Sequence, residues 1–187
     1  MALASTLTDI ANLALAAIGE PAINNINDDS SVSNQVRSVL FEGIRQVQLL
    51  IEWPELRVTM KPTLDHYDED TGLYHYNLPT NFLDVIDGGD DWQIDGKKLA
   101  CSTVELTLIY KRYTSEPTEW GGNMTELIHK RISCMVVMPI TQNVQLYQIH
   151  TEQFERARGV IVTRAQNRGR KQAQRPTQFQ RNMRRGK

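Results

Sequence analysis

The sequence has few cysteines and no long apolar run, and each shortage excludes a class of protein. Its 187 residues include two cysteines, Cys101 and Cys134, which lie 33 positions apart without the spacing of a metal site. So few thiols fit a reducing compartment and exclude a disulfide framework. The longest apolar run, residues 134–140, is far too short to span a bilayer, and the N-terminus lacks the basic residues of a secretion signal. We therefore expect buried, unreactive thiols in a soluble chain without membrane contact.

Residues with the spacing of a catalytic or metal site are also missing. There is no phosphate-binding glycine loop and no G-x-S-x-G elbow. Residues 91–102 resemble a calcium loop, but Gln93 and Ser102 stand where such a loop has ligands. The four histidines do not show the i, i+4 spacing of a helical zinc site. They are His66, His75, His129 and His150. We expect no catalytic residue, no metal and no cofactor, and we expect His150 to pack inside the fold.

Acidic residues are missing from the last 32 positions of the chain. All 22 Asp and Glu lie at or before Glu155, whereas 11 of the 21 Lys and Arg follow it. The formal net charge of -1 thus conceals an acidic body and a basic end. Beyond Gln166 apolar residues are too sparse to offset the entropy of ordering. The composition predicts a basic C-terminal arm over residues 166–187, disordered by itself; the alternative is a solubilising tail or a frayed helix end.

Apolar residues recur at helical spacing in both flanks of the chain. Ser31 or Ser33 is expected to cap the second helix and Asn143 the fourth, and Pro139 is expected to break or kink the third. The fourth helix is expected to pack through residues Tyr147, His150, Phe154, Ala157, Ile161 and Ala165. The pattern predicts helices over about residues 6–18, 32–52, 124–138 and 144–167.

The middle third, residues 55–114, changes to an alternating pattern. Strands are predicted at 56–60 and 74–78 and along 104–110, and Asp95-Gly96 is predicted to form a two-residue hairpin turn. We expect a mainly α fold with a β insertion, an α+β architecture. About four helices form a bundle, and a small antiparallel sheet lies between the second and third helices, because neither helix pair can bury its apolar stripe alone. Residues 1–165 then form one domain, and the arm follows.

Carboxylates are concentrated in the predicted loops of this β insertion. A solvated acidic surface is the favoured interpretation, and paired acid and base catalysis, as in a hydrolase, is the weaker alternative. The residues concerned are Asp65, Asp68, Glu69, Asp70, Asp84, Asp87, Asp90 and Asp91.

Five strings of residues, taken in their order and spacing, resemble a known family. They are ALAAIGEPAI at 14–23, the second helix closing on EW at 52–53, YNLPTNFL at 76–83, WQIDGKKL at 92–99 and the strand at 104–113. Together they cover about residues 3–165. In these strings the chain resembles the head-to-tail adaptor proteins of tailed bacteriophages, also called connectors, or tail tubular protein A in short-tailed phages.

The resemblance implies a structural virion protein without enzymatic activity. Adaptors of this family form rings, usually of twelve copies, between the portal and the tail nozzle, and the genome passes through the ring during ejection. The expected partners are further copies of the chain, the portal protein, tail proteins and, without sequence specificity, the passing double-stranded DNA. The expected location is the head-tail junction of the virion, after assembly in the host cytoplasm.

The same resemblance assigns roles to the arm and to the acidic residues. Adaptor C-terminal segments commonly lie along the portal ring, and the acidic set is expected to face the channel or the tail. The second and fourth helices are expected to form the contacts between subunits. The predicted portal-binding residues are Arg170, Lys171, Arg175, Phe179, Arg181, Met183, Arg184, Arg185 and Lys187.

The alternative function is nucleic-acid binding through the arm. Eight basic residues follow Gln166 and suffice to neutralise several phosphates. Aromatic residues for base stacking are sparse there, however, and the acidic body opposes a duplex lying along it.

Overall fold

The computed structural model describes residues 5–89 and 91–173 and has the expected mixed α+β fold. Four helices flank the β region. They are α1 (Leu7–Ala17), α2 (Ser31–Leu50), α3 (Gly122–Thr141) and α4 (Val144–Ala173). The strands between α2 and α3 are β1 (Arg57–Met60), β2 (Leu64–Asp68), β3 (Leu73–Asn77), β4 (Phe82–Asp87), β5 (Gln93–Asp95), β6 (Lys98–Cys101) and β7 (Leu108–Arg112).

The strands form two antiparallel sheets, so the prediction of a single sheet was wrong. One sheet has the order β1-β7-β4 and the other the order β2-β3-β6-β5. Their facing sides enclose a second core made of Tyr76, Leu99, Cys101, Leu106, Leu108 and Tyr110. Strands β2 and β4 were predicted as loops because they are rich in aspartate. Both are end strands of their sheets, where charged side chains remain in water at little cost.

The strand predicted along residues 104–110 starts later than its branched residues suggested. It begins only at Leu108, and Val104 lies in a bend with 59% of its surface exposed. The chain uses this bend to cross from the four-stranded to the three-stranded sheet, so tertiary context overrides local β propensity. The hairpin between β5 and β6 is confirmed, but its loop is Gly96-Lys97, since Asp95 pairs with Lys98. Gly96 has a φ of 58°, which favours glycine.

Two helix ends differ from the predictions, and a third is as predicted. Ser30 caps α2, because its hydroxyl accepts from the Ser33 backbone N–H. Helix α3 continues past Pro139 to Thr141, where side-chain and backbone hydrogen bonds to Val137 and Met138 close the last turn. Asn143 caps α4 as expected, with its side-chain oxygen accepting from the Leu146 N–H at 3.0 Å.

Helix α4 continues beyond the predicted start of the arm, so the expectation of disorder from residue 166 was wrong as far as Ala173. Residues 166–173 are mostly Ala, Gln, Arg and Lys, which are strong helix formers. They extend an existing helix and therefore bear no nucleation cost.

Helix α3 lies at the centre of the bundle and packs against α1, α2 and α4. Small residues allow the close approaches. Ser133 on α3 donates a hydrogen bond to the Ala14 carbonyl of α1, and Gly43 on α2 lies against Ile132 of α3. Both cysteines are buried free thiols, as expected, and burial raises the pKa of Cys134. In the described part of the chain, no helix is long and apolar enough to cross a membrane.

Candidate interaction surfaces

The predicted acidic loops divide between strands and turns. Asp65 and Asp68 lie on β2, and Asp84 and Asp87 lie on β4 in the other sheet, so these four were wrongly assigned to loops. The remaining described members are in turns: Glu69 and Asp70 between β2 and β3, and Asp91 ahead of β5. Asp90 lies outside the described residues.

Hydrogen bonds compensate part of the charge on β2. The Lys98 ammonium donates to Asp65 Oδ2 at 2.7 Å, and His66 Nδ1 lies 2.7 Å from the same oxygen. The bond from Lys98, reinforced by that from His66, holds the pKa of the Asp65 carboxyl far below its usual range. The Thr71 hydroxyl and the Asp70 backbone N–H similarly lower the pKa of Asp68. These carboxylates therefore stay ionised, but Asp65 does not present an isolated negative charge.

Asp84 is also paired with a cation. Lys111 Nζ lies 2.8 Å from Asp84 Oδ2 and donates to the Leu49 carbonyl of α2 at 3.4 Å. The lysine is only 7% exposed, whereas nearly half of the Asp84 side chain remains in water. Through its bond to Leu49, Lys111 joins the three-stranded sheet to the end of α2. The acidic surface of the described residues is therefore smaller than the aspartate count suggests.

Two histidines stack on the polar face of the four-stranded sheet. The rings of His66 and His75 lie 4.4 Å apart at an interplanar angle of 7°. Both ring nitrogens of His75 are buried without a hydrogen-bond partner, and the Asp68 carboxylate is 4.0 Å away. Within residues 5–89 and 91–173, no group of three His, Cys, Asp or Glu side chains is arranged to hold a metal.

The other two histidines belong to the helical core. His150 packs inside the fold as expected, with only 6% of its surface exposed. Burial lowers the pKa of His150 and of His129, so both rings are neutral near pH 7.

The four-stranded sheet ends in two uncovered strands. All of β5 and most of β2 are exposed. Each strand or its flank carries two half-exposed apolar side chains: Leu64 at 46% and Tyr67 at 49% for β2, and Trp92 at 42% and Ile94 at 45% for β5. Large apolar groups on both edges of one sheet are suited to a protein contact.

The helices present a second set of exposed apolar side chains. Phe41 is on α2, and α4 contributes Val144, Tyr147, Ile149 and Val160. Tyr147 was predicted to face the core; Leu146 packs there instead. Beside these helices, the ends of α2 and α3 and residues 161–165 of α4 line a surface groove of about 790 Å³.

Most of the predicted portal-binding arm lies outside the described residues. These members are Arg175, Phe179, Arg181, Met183, Arg184, Arg185 and Lys187. Arg170 and Lys171 lie within α4, where the structure describes their backbone but not their side chains.

Comparison with known proteins adds no family assignment. No protein-family model matches the chain, and no curated protein matches it.

Proposed function

We propose that this chain is a structural virion protein that forms the head-to-tail adaptor ring between a phage portal and the tail. The observation that carries the proposal is the form of α4. This helix has 30 residues, against 20 each in α2 and α3, and is therefore about 15 Å longer than either. Its last described buried residue is Ile161, and every charged residue beyond that point is basic.

Helix α4 thus connects an acidic, packed body to a cationic end. An acidic portal surface would attract that end, and Phe179 and Met183 would supply apolar anchors. One such contact is weak, but a ring makes it once per copy, and the copies act together through avidity. The order of helices and strands, which underlies the resemblance to adaptors, is compatible with this role.

A ring requires one surface of each copy to meet a different surface of its neighbour. The exposed apolar side chains of α2 and α4 support the expectation that these helices contribute to that contact. We also propose that the acidic residues of the β region, from Asp65 to Asp91, face the channel or the tail. Because Asp65 and Asp84 are paired with lysines, repulsion of DNA phosphates would rest mainly on the other described members of the set, which are Asp68, Glu69, Asp70, Asp87 and Asp91.

The experiment is a binding assay between the full chain and portal rings of the same phage. Removing residues 175–187 should abolish co-sedimentation and leave the thermal unfolding of the body unchanged. A matched variant keeps the length of the chain but replaces the basic residues beyond Ala173 by Gln: Arg175, Arg181, Arg184, Arg185 and Lys187. It should lose most of its binding. Wild-type binding by the shortened chain would refute the proposed arm contact.

The same variants separate the alternative, nucleic-acid binding through the basic end. If the end binds phosphates, log affinity for duplex DNA falls with log salt at a slope of about -0.9 per phosphate contacted. Tight, salt-sensitive DNA binding that the Gln variant loses, without portal binding by the wild type, would favour that alternative.

A further inference from the structure

We propose that the four-stranded sheet continues from one copy of the chain into the next, through pairing of β5 with β2 of a second copy. This inference rests on the proposed ring and identifies a contact within it. Strands β2 and β5 end the sheet on opposite sides, and both are exposed along their length. Their outer backbone groups are therefore available to another strand.

The topology favours joining copies head to tail. Three antiparallel pairings separate β2 from β5, so these two strands run in opposite directions. Suppose that the second copy is related to the first by a rotation about an axis parallel to the strands. This rotation leaves the direction of every strand unchanged and can place β2 of the second copy beside β5 of the first. The two strands are then antiparallel, so the junction repeats the pairing pattern found inside the sheet.

The side chains at the two edges match row by row. One row of the sheet consists of Leu64, Tyr76, Leu99 and Ile94. The next row on the same face contains Tyr67, Tyr74 and Cys101, and Trp92 continues it just before β5. The bulge between Leu64 and His66 places Leu64 and Tyr67 on this same face. Each row thus begins and ends on a half-exposed apolar side chain.

The middle residues of both rows belong to the core between the two sheets, where Tyr76, Leu99 and Cys101 are buried. Pairing without a register shift would place Ile94 beside Leu64 of the second copy and Trp92 beside Tyr67. The apolar stripe would then continue across the junction. On the opposite face, Gln93 would meet His66, whereas Asp91, in the turn ahead of β5, would face Asp68, a like-charge pair that this register has to accommodate. Neither strand contains Lys or Pro, the residues that commonly block edge pairing.

A disulfide tests this contact directly. In one copy, positions 64 and 94 are separated by three strand spacings, about 14 Å, which a disulfide cannot bridge. Across the proposed junction they are antiparallel neighbours about 5 Å apart. Mild oxidation of the Leu64→Cys, Ile94→Cys double variant should give a ladder of dimers, trimers and higher species on a non-reducing gel. Reductant should collapse the ladder.

The controls use the same chain. The Leu64→Cys and Ile94→Cys single variants retain the buried native thiols and should form no species larger than a dimer. A Leu64→Cys, Trp92→Cys variant detects pairing displaced by two residues, and a ladder from this variant also supports the continuous sheet.

A second variant tests the contact without cysteines. Leu64→Lys places a charge on the apolar edge and should raise the concentration needed for assembly by about tenfold or more. Val104→Lys is the matched control, because Val104 is exposed and apolar but lies outside β2 and β5. It should assemble like the wild type, and both variants should keep the wild-type unfolding temperature.

Annular particles that form without a ladder from either pair, and that tolerate Leu64→Lys, would overturn the sheet junction while leaving the adaptor function intact. A Leu64→Cys single variant that dimerises as readily as the double variant oligomerises would also overturn it, in favour of symmetric β2 pairing. Failure of the wild type to form any ring, alone or on portal, would instead refute the proposed function on which the junction rests.

Discussion

Gln48 of α2 and Thr114, just after β7, pair through two hydrogen bonds in the protein interior. The Gln48 amide donates to the Thr114 carbonyl at 2.7 Å, and its oxygen accepts from the Thr114 N–H at 3.3 Å. Trp120 also donates to the Thr114 carbonyl, at 3.3 Å. One buried amide thus satisfies both backbone groups of Thr114 and ties the β region to the helical bundle.

Replacing Gln48 by Leu should lower the free energy of unfolding by about 1–3 kcal/mol, because the buried Thr114 N–H then lacks an acceptor. Urea unfolding followed by circular dichroism measures the change. The matched control is Gln153→Leu, at an exposed position of α4, which should change stability by less than about 0.5 kcal/mol. Equal effects at the two sites would contradict a structural role for the pairing.

The two members of the Lys111–Asp84 pair should differ in their cost of removal. Asp84→Asn leaves a buried ammonium without its charge partner and should destabilise the protein by about 1–3 kcal/mol. Lys111→Met removes the buried charge and leaves a half-exposed carboxylate, so it should cost less. Denaturant midpoints of both single variants test this order. A larger loss for Lys111→Met would contradict the interpretation that desolvation of the lysine dominates.

Two glycines in helix interiors should respond in opposite directions. A Cβ at Gly43 would lie 3.2 Å from Ile132 Cγ1 and 3.5 Å from Met135 Sδ, so Gly43→Leu should overpack the contact between α2 and α3 and cost about 1–3 kcal/mol. A Cβ at Gly159 meets no atom within 4 Å, so Gly159→Ala should stabilise α4 by about 0.5–1 kcal/mol. Thermal unfolding distinguishes the two, and stabilisation by Gly43→Leu would show that the helices are not closely packed there.

Acid should destabilise the fold before the carboxylates titrate. Burial lowers the folded-state pKa of His129 and His150, whereas these groups titrate near pH 6.5 in the unfolded chain. The unfolded state therefore binds more protons as pH falls below about 6.5, and stability decreases from there towards the lowered folded pKa. Unfolding temperatures between pH 7.5 and 5.5 should fall for the wild type.

The His129→Gln, His150→Gln double variant should be less stable at pH 7.5 but show a flatter pH dependence. A decline as steep as that of the wild type would assign the effect to other groups. The lowered pKa values of Asp65 and Asp68 act in a separate range, since stability from these carboxylates is lost only as pH falls below about 4.

The helices were predictable because their signals are local. Caps and apolar periodicity placed all four, and Asn143 was identified as a cap from its position alone. The C-terminal end of α4 was not predictable in this way. Low apolar content indicates disorder only when no packed helix precedes the segment. The β region was harder, because an aspartate-rich edge strand such as β2 has the composition of a loop.

The interaction surfaces were least accessible from the sequence. That Leu64 and Tyr67 share a face depends on a bulge, and the alignment of Leu64 with Ile94 depends on pairings among four strands. The Lys111–Asp84 pair and the Gln48–Thr114 pairing join residues distant in the chain. Such contacts follow from the fold and leave no periodic pattern in the sequence.

Electron microscopy of the purified full chain, alone and mixed with portal rings of the same phage, is the most direct test of the adaptor proposal. We expect annular particles, closed rings of about twelve copies, stacked coaxially on the portal ring. Particles of single-chain size under both conditions, with no density added to the portal, would contradict it.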